Sequence, residues 1–562
     1  MLSNTIGQSL LRLPHDLYTL SFLFGLVKLV FEIGVTPTKS QLIGSQCDLL
    51  GSSCLYRQGG YSSSPREYRV ELMANLIERK NAMMIKNLLS NKMNNNKTAI
   101  KCKDETISFR QWHNASYHLS GLIKRHLNEG DKVIIIFGNN IQYCISYFAV
   151  LYANCVVAPC YRDLTVYEIR KIVKDIDAKM IITDHDNCRY LSEQTDINCI
   201  ITTFEMNIIY YNPPSIPEYN SNGDTHNSLA VILQSSGTSG QHKYVMLSNE
   251  NIFSNVNAHC DSIDILDNDI GLIILPMSFS YAHTSQFLSY LHAGITSILN
   301  DNAYFPSIFK KIVIDNDITI TNITPAILNN IFNDVNGAET IDKLRHICIG
   351  AAKLNTGLWT KAIEEIKKCN IYSTYGITEA SPRLTTLPAK DFKRKIGSVG
   401  LPIIGVKIKI IPSGDDDNQI VGEICVSGNN IMLGYYGQSH SPINNGYLYT
   451  GDVGYIDSEG YLFIIGRKKN IIIKNGLNIN PEEIENVLEQ YPGIRCAFVF
   501  AQKDDCCGEV PIAHIEADIP IQDFDIKQFC AKQLAEYKIP DHIIVVDKIK
   551  RTLSGKIMRN SI

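Results

Sequence analysis

The sequence predicts an α/β protein built on largely parallel sheets, and three observations carry that prediction. Short, fully apolar runs rich in β-branched residues recur, as at Val133-Ile134-Ile135-Ile136-Phe137, Val156-Val157-Ala158-Pro159, Met180-Ile181-Ile182-Thr183 and Leu229-Ala230-Val231-Ile232-Leu233. They alternate with segments of helical period over residues 142–154 and 168–176. Strands covered on both faces by crossover helices read as continuous apolar runs, so this alternation favours a parallel sheet. The third observation is Ser235-Ser236-Gly237-Thr238-Ser239-Gly240-Gln241-His242-Lys243, which begins where the last of these runs ends. Open α/β sheets bind ligands at the carboxyl ends of their strands, and this loop sits at such an end.

With 562 residues, 45% of them hydrophobic, the chain buries a sizeable core and divides into more than one domain. A net charge of −4 supplies no global basic field for nucleic acid or an anionic membrane, so any anion site is local. The 16 cysteines contain no CxxC pair, which points to a reducing cytoplasm, free buried thiols and no structural zinc.

Residues 1–75 differ from the rest. The stretch 17–35 is apolar but interrupted by Lys28 and Glu32, and a charge at mid-membrane costs about 2.5–3.5 kcal/mol on insertion scales. Only Arg12 precedes it, and no small-residue cleavage pattern follows. Residues 36–66, rich in Ser, Gly and Gln, read as a linker. An amphipathic leader, a membrane-surface anchor and an overextended start stay open. From residue 69 to 92 the period turns helical, and Thr98-Ala99-Ile100 with Thr106-Ile107-Ser108-Phe109 suggests a hairpin.

The loop at 235–243 has chemistry of its own. Glycines and small hydroxyl residues closed by one lysine wrap backbone N–H groups, hydroxyls and a mobile ammonium around a polyphosphate. A unit charge pair at ~4 Å is worth about 4 kcal/mol at an effective dielectric of 20, so Lys243 matters most. No Gly-Lys-Ser/Thr ends the loop, which separates it from a P-loop. Farther on, Leu275-Pro276-Met277-Ser278-Phe279-Ser280-Tyr281-Ala282 could wall a pocket. Two strand-to-turn junctions follow, one ending in Gly350-Ala351-Ala352 and one in Tyr375-Gly376-Ile377-Thr378-Glu379. The second supplies an aromatic face, close backbone approach, a hydroxyl donor and an oxygen ligand for Mg2+. Asp452 in Thr450-Gly451-Asp452 can accept both hydrogens of a ribose diol, and Ser554-Gly555-Lys556 sets a second lysine on a small-residue turn near the end.

These motifs, together with Gly466-Arg467 and Gly476-Leu477-Asn478-Ile479-Asn480-Pro481, resemble the adenylate-forming superfamily of acyl-CoA synthetases, carrier-loading adenylation domains and firefly-type luciferases. The resemblance runs from residue 80 to 562, with the motifs in family order. It implies a large N-terminal domain of mixed and parallel sheets with helices over residues 76–467. A small mobile α+β C-terminal domain over 468–562 would follow, rotating about a hinge at Lys469. It also implies site roles. Thr238, Ser239, Gly240 and Lys243 would hold the ATP phosphates, and Tyr375 would stack on adenine beside Gly350, Ala351 and Ala352, with Gly376 allowing close approach. Thr378 would contact the α-phosphate or the acyl carboxylate, Glu379 would ligate Mg2+, and Asp452 and Arg467 would bind the ribose. Lys556 would bridge the acyl carboxylate and the α-phosphate, Gly476 would border the thiol path, and Phe279, Ser280 and Tyr281 would line the acid pocket.

Departures from the family pattern touch none of the residues assigned to chemistry except the phosphate loop. His242 and Tyr244 flank Lys243 where Pro and Gly are usual, Phe279 stands where a histidine is common, Asn470 replaces an acid and Lys550 a proline. The implied reaction is ATP-dependent formation of an acyl-AMP, then transfer to a thiol, either coenzyme A or a phosphopantetheine-bearing acyl carrier protein. Amino-acid-activating relatives commonly carry an aspartate where Ser280 stands, and a buried unpaired ammonium is costly. A small-molecule carboxylic acid without an α-amino group is therefore expected. A non-enzymatic, membrane-tethered binding protein is the remaining reading.

Overall fold

The structure is a computed structural model and describes residues 85–184, 198–202, 208–211, 229–235, 243–301, 305–412, 421–439, 441–474, 477–504, 507–519, 522–551 and 557. The expectations for the leader, its apolar stretch 17–35 and the start of the helical period at 69 lie outside them. So do those for Thr238, Ser239, Gly240, Gly476 and Lys556. All described residues fall within one compact unit.

Three sheets organise the chain. In the eight-stranded sheet, Val156–Cys160, Lys132–Ile136, Ala178–Thr183 and Asn198–Thr202 run parallel, and Leu229–Ser235 joins Val156–Cys160 in the same sense. These are the apolar runs singled out in the sequence. Val133, Ile134, Ile135 and Ile136 are fully buried, as covering both faces of a parallel strand requires. The helix Ile141–Tyr152 starts on an Asn140 cap and buries almost every side chain. Helix Val166–Ile176 opens on a capping box between Thr165 and Glu168, which satisfies two otherwise orphaned N–H groups.

The large sheet is fourteen-stranded. Its parallel half comprises Thr98–Cys102, Thr296–Leu299, Ile270–Ile273, Ile320–Ile323, His346–Ile349 and Asn370–Gly376. From Arg383 to Arg467 every strand pairing is antiparallel, so the sheets are mixed, in keeping with the mixed and parallel sheets that the resemblance implied. Tight turns rather than crossover helices join these strands, and Gly397, Gly405, Gly446 and Gly460 hold positive φ there. An antiparallel pair needs only such a turn, whereas a parallel pair needs a crossover. The hairpin Thr98–Cys102 with Glu105–Ser108 forms as expected, but Phe109 belongs to the following helix, which Ser108 caps.

The third sheet has five strands. Leu477–Ile479, Ile472–Lys474, Gly508–Ala517 and Ile494–Asp504 are antiparallel, and His542–Val545 lies parallel to Gly508–Ala517. Helices Pro481–Leu488 and Asp523–Ala531 pack on it around a separate core that includes Ile484, Leu488, Val499, Ile515 and Ile526.

Candidate functional site

Tyr375 is the penultimate residue of strand Asn370–Gly376 and is buried. Its hydroxyl donates to Asp452 Oδ2 at 2.6 Å, while Arg467 Nε donates to Asp452 Oδ1 at 2.7 Å. Asp452 and Arg467 are register partners on the strands Tyr447–Ile456 and Leu462–Arg467, so the ladder itself aligns carboxylate and guanidinium. Burial, then the Asp452 charge, pushes the Tyr375 hydroxyl well above its ordinary range, and Asp452 also holds the Arg467 guanidinium firmly protonated. The next residue, Gly376, passes so close to its neighbouring strand that an added Cβ would lie 2.1 Å from the Pro382 carbonyl oxygen.

A second chain of contacts joins the lysine of the loop to the expected metal ligand. Lys243 opens the return strand Lys243–Ser248, opposite Ser235. Its Nζ lies 4.5 Å from the centre of the Tyr435 ring, a cation–π contact. Tyr435 pairs with Val245 on that strand, and its hydroxyl donates to Glu379 Oε1 at 2.9 Å. Burial and the Glu379 carboxylate push the Tyr435 hydroxyl up beyond its usual range. Lys243 and Glu379, 136 positions apart, thus approach the ring face and the hydroxyl of one tyrosine. Among the described residues no three His, Cys, Asp or Glu side chains cluster as a metal cage. A single carboxylate nevertheless fits Mg2+, which keeps waters and takes most of its oxygens from bound phosphates.

The expected acid-pocket residues meet the same centre. Ser280 Oγ lies 3.0 Å from Thr378 Oγ1, which couples the pocket segment to Tyr375-Gly376-Ile377-Thr378-Glu379. Tyr281 donates its hydroxyl to the Cys348 carbonyl at 3.2 Å, and Phe279 stacks on Tyr161 with ring centres 5.3 Å apart. Gly350 leaves room at that hydroxyl, because an added Cβ would come within 2.9 Å of it and 2.4 Å of Thr374 Oγ1. Ala351 turns the chain through a left-handed conformation at φ +66°, and Ala352 beyond it is exposed. Residues 283–288 then form a turn of π-helix, a rare conformation that recurs at functional sites.

Lys469 sits exposed in the short 3₁₀ turn Lys468–Asn470 between the large sheet and the small one. Across this junction Asn480 Nδ2 donates to the Ile465 carbonyl at 2.6 Å, and Asn355 Nδ2 donates to Glu489 Oε2 at 2.9 Å. Burial raises the Glu489 carboxyl from its ordinary value. Two residues of this region escaped the sequence reading. Tyr435 had a signal in the run Gly434-Tyr435-Tyr436-Gly437. Arg383, a lone charge followed by Leu384, had none.

The family model described as AMP-binding enzyme matches residues 89–436, and that of the AMP-binding enzyme C-terminal domain matches 483–556. A 2-succinylbenzoate–CoA ligase of Oceanobacillus iheyensis is 28% identical over 473 residues, 83% of this chain and 96% of the relative. One of Bacillus cereus is 28% identical over 476 residues, 83% of this chain and 95% of the relative. The o-succinylbenzoate CoA synthetase (MenE) of Bacillus subtilis, in complex with the acyl-adenylate intermediate OSB-AMP, superposes with a TM-score of 0.75. It is 25% identical, over 84% of this chain and 97% of that one. The anthranilate CoA ligase AuaEII, at 19% identity and a TM-score of 0.75, shares the fold over 85% of this chain and 96% of its own. Because the first family model spans well over half of the sequence, the chain belongs to the AMP-binding enzyme family, as an acid–thiol ligase of the adenylate-forming type.

Proposed function

We propose that this chain activates an aryl or aliphatic carboxylic acid lacking an α-amino group as its acyl-AMP and passes the acyl group to coenzyme A. The observation that carries this reading is the convergence of two linked groups, Tyr375 with Asp452 and Arg467, and Lys243 with Tyr435 and Glu379. In the first step a carboxylate oxygen bonds to the α-phosphorus of ATP and the bond to the β-phosphate oxygen breaks, releasing pyrophosphate. In the second the coenzyme A thiolate bonds to the acyl carbon and AMP leaves with the C–O electron pair. Such phosphoryl chemistry depends on positioning and charge stabilisation more than on covalent help from the protein.

Each residue then has one task. The Asp452 carboxylate, aligned by Arg467 and Tyr375, accepts from the ribose hydroxyls. Lys243, Thr238, Ser239 and Gly240 hold the outgoing phosphates, and Thr378 donates to the α-phosphate or the acyl carboxylate. Glu379, oriented by Tyr435, would hold Mg2+, which supplies positive charge to the phosphate oxygens. Ser280 and Tyr281 wall the acid, with Ser280 standing where amino-acid-activating relatives commonly carry an aspartate. Residues 76–467 form the catalytic domain, and 468–562 the smaller domain that brings Lys556 to the first step and Gly476 to the second. The names of the relatives, all CoA ligases, support coenzyme A as acceptor. The free thiols of buried Cys102, Cys144, Cys155 and Cys160 suit a reducing cytoplasm, and among the described residues no helix is long and apolar enough to cross a membrane.

The test is acid-dependent pyrophosphate release across a panel of aryl and aliphatic carboxylic acids and amino acids, followed by thioester formation with coenzyme A or a pantetheinylated carrier. Release with simple carboxylates and capture by coenzyme A are expected. Strong release with an ordinary amino acid alone, or capture only by the carrier, overturns the reading.

A further inference from the structure

Arg383 opens the strand Arg383–Leu387 as the register partner of Gly376, so no cross-strand side chain covers it. It is only 2% exposed, among the largest fully enclosed side chains. Among the described residues it forms no ion pair, and its Nη2 is buried without a hydrogen-bond partner. Its Nε donates to His259 Nδ1 at 3.3 Å, and its side chain also engages the Tyr281 hydroxyl. His259 Nε2 in turn faces the Ser285 carbonyl at 3.2 Å, so the ring can accept from Arg383 only as a neutral imidazole. Burial, with the Arg383 charge second, holds the His259 pKa well below its ordinary value, in agreement with that tautomer. Among the described residues no carboxylate therefore pairs with the guanidinium charge.

The guanidinium carbon lies 5.4 Å from the centre of the Tyr281 ring. Tyr281 follows Ser280, which touches Thr378, and Ser285 Oγ on the adjoining π-turn is likewise buried without a partner. A cation–π contact offsets only part of the desolvation of an enclosed cation. A guanidinium whose Nη2 is left without a partner is instead a matching donor for a carboxylate oxygen.

We propose that Arg383 is the specificity-determining residue of the acid pocket and receives a second carboxylate on the substrate, at the end remote from the carboxyl group that is adenylated. This rests on the ligase reading above and narrows it, making the substrate a dicarboxylic acid whose distal charge the protein neutralises. The neutral His259 steers the guanidinium, and Tyr281 forms the wall between the two ends of the acid.

Matched pairs of acids that differ by one carboxylate decide the matter, for example 2-succinylbenzoate against 4-oxo-4-phenylbutanoate and glutarate against butanoate. The readout is kcat and KM for pyrophosphate release. The wild type is expected to favour the diacid of at least one pair by tenfold or more in kcat/KM. Arg383→Leu should collapse that ratio to near one, chiefly through the KM of the diacid, and Arg383→Lys should recover part of it. A wild-type ratio near one in every pair overturns the proposal, as does an Arg383→Leu variant that slows both members equally. If the leucine variant does not fold, the wild-type ratio and the lysine variant suffice. Failure of every acid, mono- or dicarboxylic, to release pyrophosphate instead defeats the ligase reading itself.

Discussion

The Tyr375 hydroxyl donates to Asp452 Oδ2 across 77 positions of chain, so the aromatic expected at adenine and the carboxylate expected at ribose act as one unit. A hydrogen bond to a charged group contributes about 1.5–3 kcal/mol. Tyr375→Phe keeps the ring and removes the donor, and should weaken ATP by roughly 10- to 100-fold. The KM for ATP in pyrophosphate release measures this. Tyr117→Phe, on an exposed ring, is the control, and equal KM values in the two variants would refute the coupling.

Tyr435 touches Lys243 with its ring and Glu379 with its hydroxyl. Partners that orient a metal ligand are worth about 10- to 100-fold in metal affinity. Tyr435→Phe should therefore raise the Mg2+ concentration for half-maximal pyrophosphate release by about tenfold. Lys243→Met should instead depress kcat/KM for ATP by on the order of 10²-fold without moving the Mg2+ midpoint. A Mg2+ titration at fixed ATP separates the two, and an unmoved midpoint in Tyr435→Phe would speak against Glu379 as the metal ligand.

Gly376 and Gly357 should respond oppositely to alanine. At Gly376 a Cβ would meet the Pro382 carbonyl, whereas at Gly357, inside the helix Thr356–Glu365, the nearest atom is Asn355 Oδ1 at 3.7 Å. Overpacking costs about 1–3 kcal/mol, and alanine gains about 0.5–1 kcal/mol over glycine inside a helix. Gly376→Ala should lower Tm and activity, while Gly357→Ala should raise Tm and leave activity unchanged. Matching Tm shifts would contradict the close approach at Gly376.

The parallel strands were legible in the sequence because burial on both faces leaves a run such as Val133-Ile134-Ile135-Ile136 with no polar position. The antiparallel half was not. Lys407–Pro412 is exposed or half-buried along its whole length, so its residues carry no such constraint. Within the candidate site, Tyr375, Asp452 and Arg467, each named from a short motif, come into direct contact. Tyr435 acquires its meaning only from a bond to Glu379, 56 positions away. Arg383 reads as a surface charge, and only the fold around it, with Tyr281 and His259 from distant segments, encloses it.

His346 carries a pH dependence with a definite sign. It is buried with neither ring nitrogen hydrogen-bonded, and burial lowers its pKa from 6.5 to about 4. The unfolded ring takes up a proton below about 6.5, whereas the folded ring stays neutral down to about 4. Its contribution to stability is complete above that window and is lost as pH falls through it, by up to about 1.4 kcal/mol per pH unit. His346→Leu sacrifices no hydrogen bond and should flatten the fall in Tm between pH 7 and pH 5. Identical slopes in variant and wild type would remove His346 from the account.

The tasks proposed for Lys556 and Gly476 differ, and the half-reactions should separate them. Lys556 is assigned to adenylation, where its charge meets carboxylate and α-phosphate together, and losing such a preorganised group costs on the order of 10²–10³ in rate. Gly476 is assigned to thioester formation, where a bulky side chain obstructs thiol entry or the rotation that precedes it. Lys556→Ala should stop acid-dependent pyrophosphate release yet still convert a supplied acyl-adenylate to thioester. Gly476→Trp should form the adenylate and fail to pass the acyl group on. Asn355 bonds Glu489 and Asn480 bonds the Ile465 carbonyl across the junction; with the proposed rotation, Asn355→Ala should shift the balance between half-reactions rather than abolish either. Single-turnover assays of each step on the three variants decide the assignment. If Lys556→Ala and Gly476→Trp cripple the same step, the small domain does not alternate between two poses.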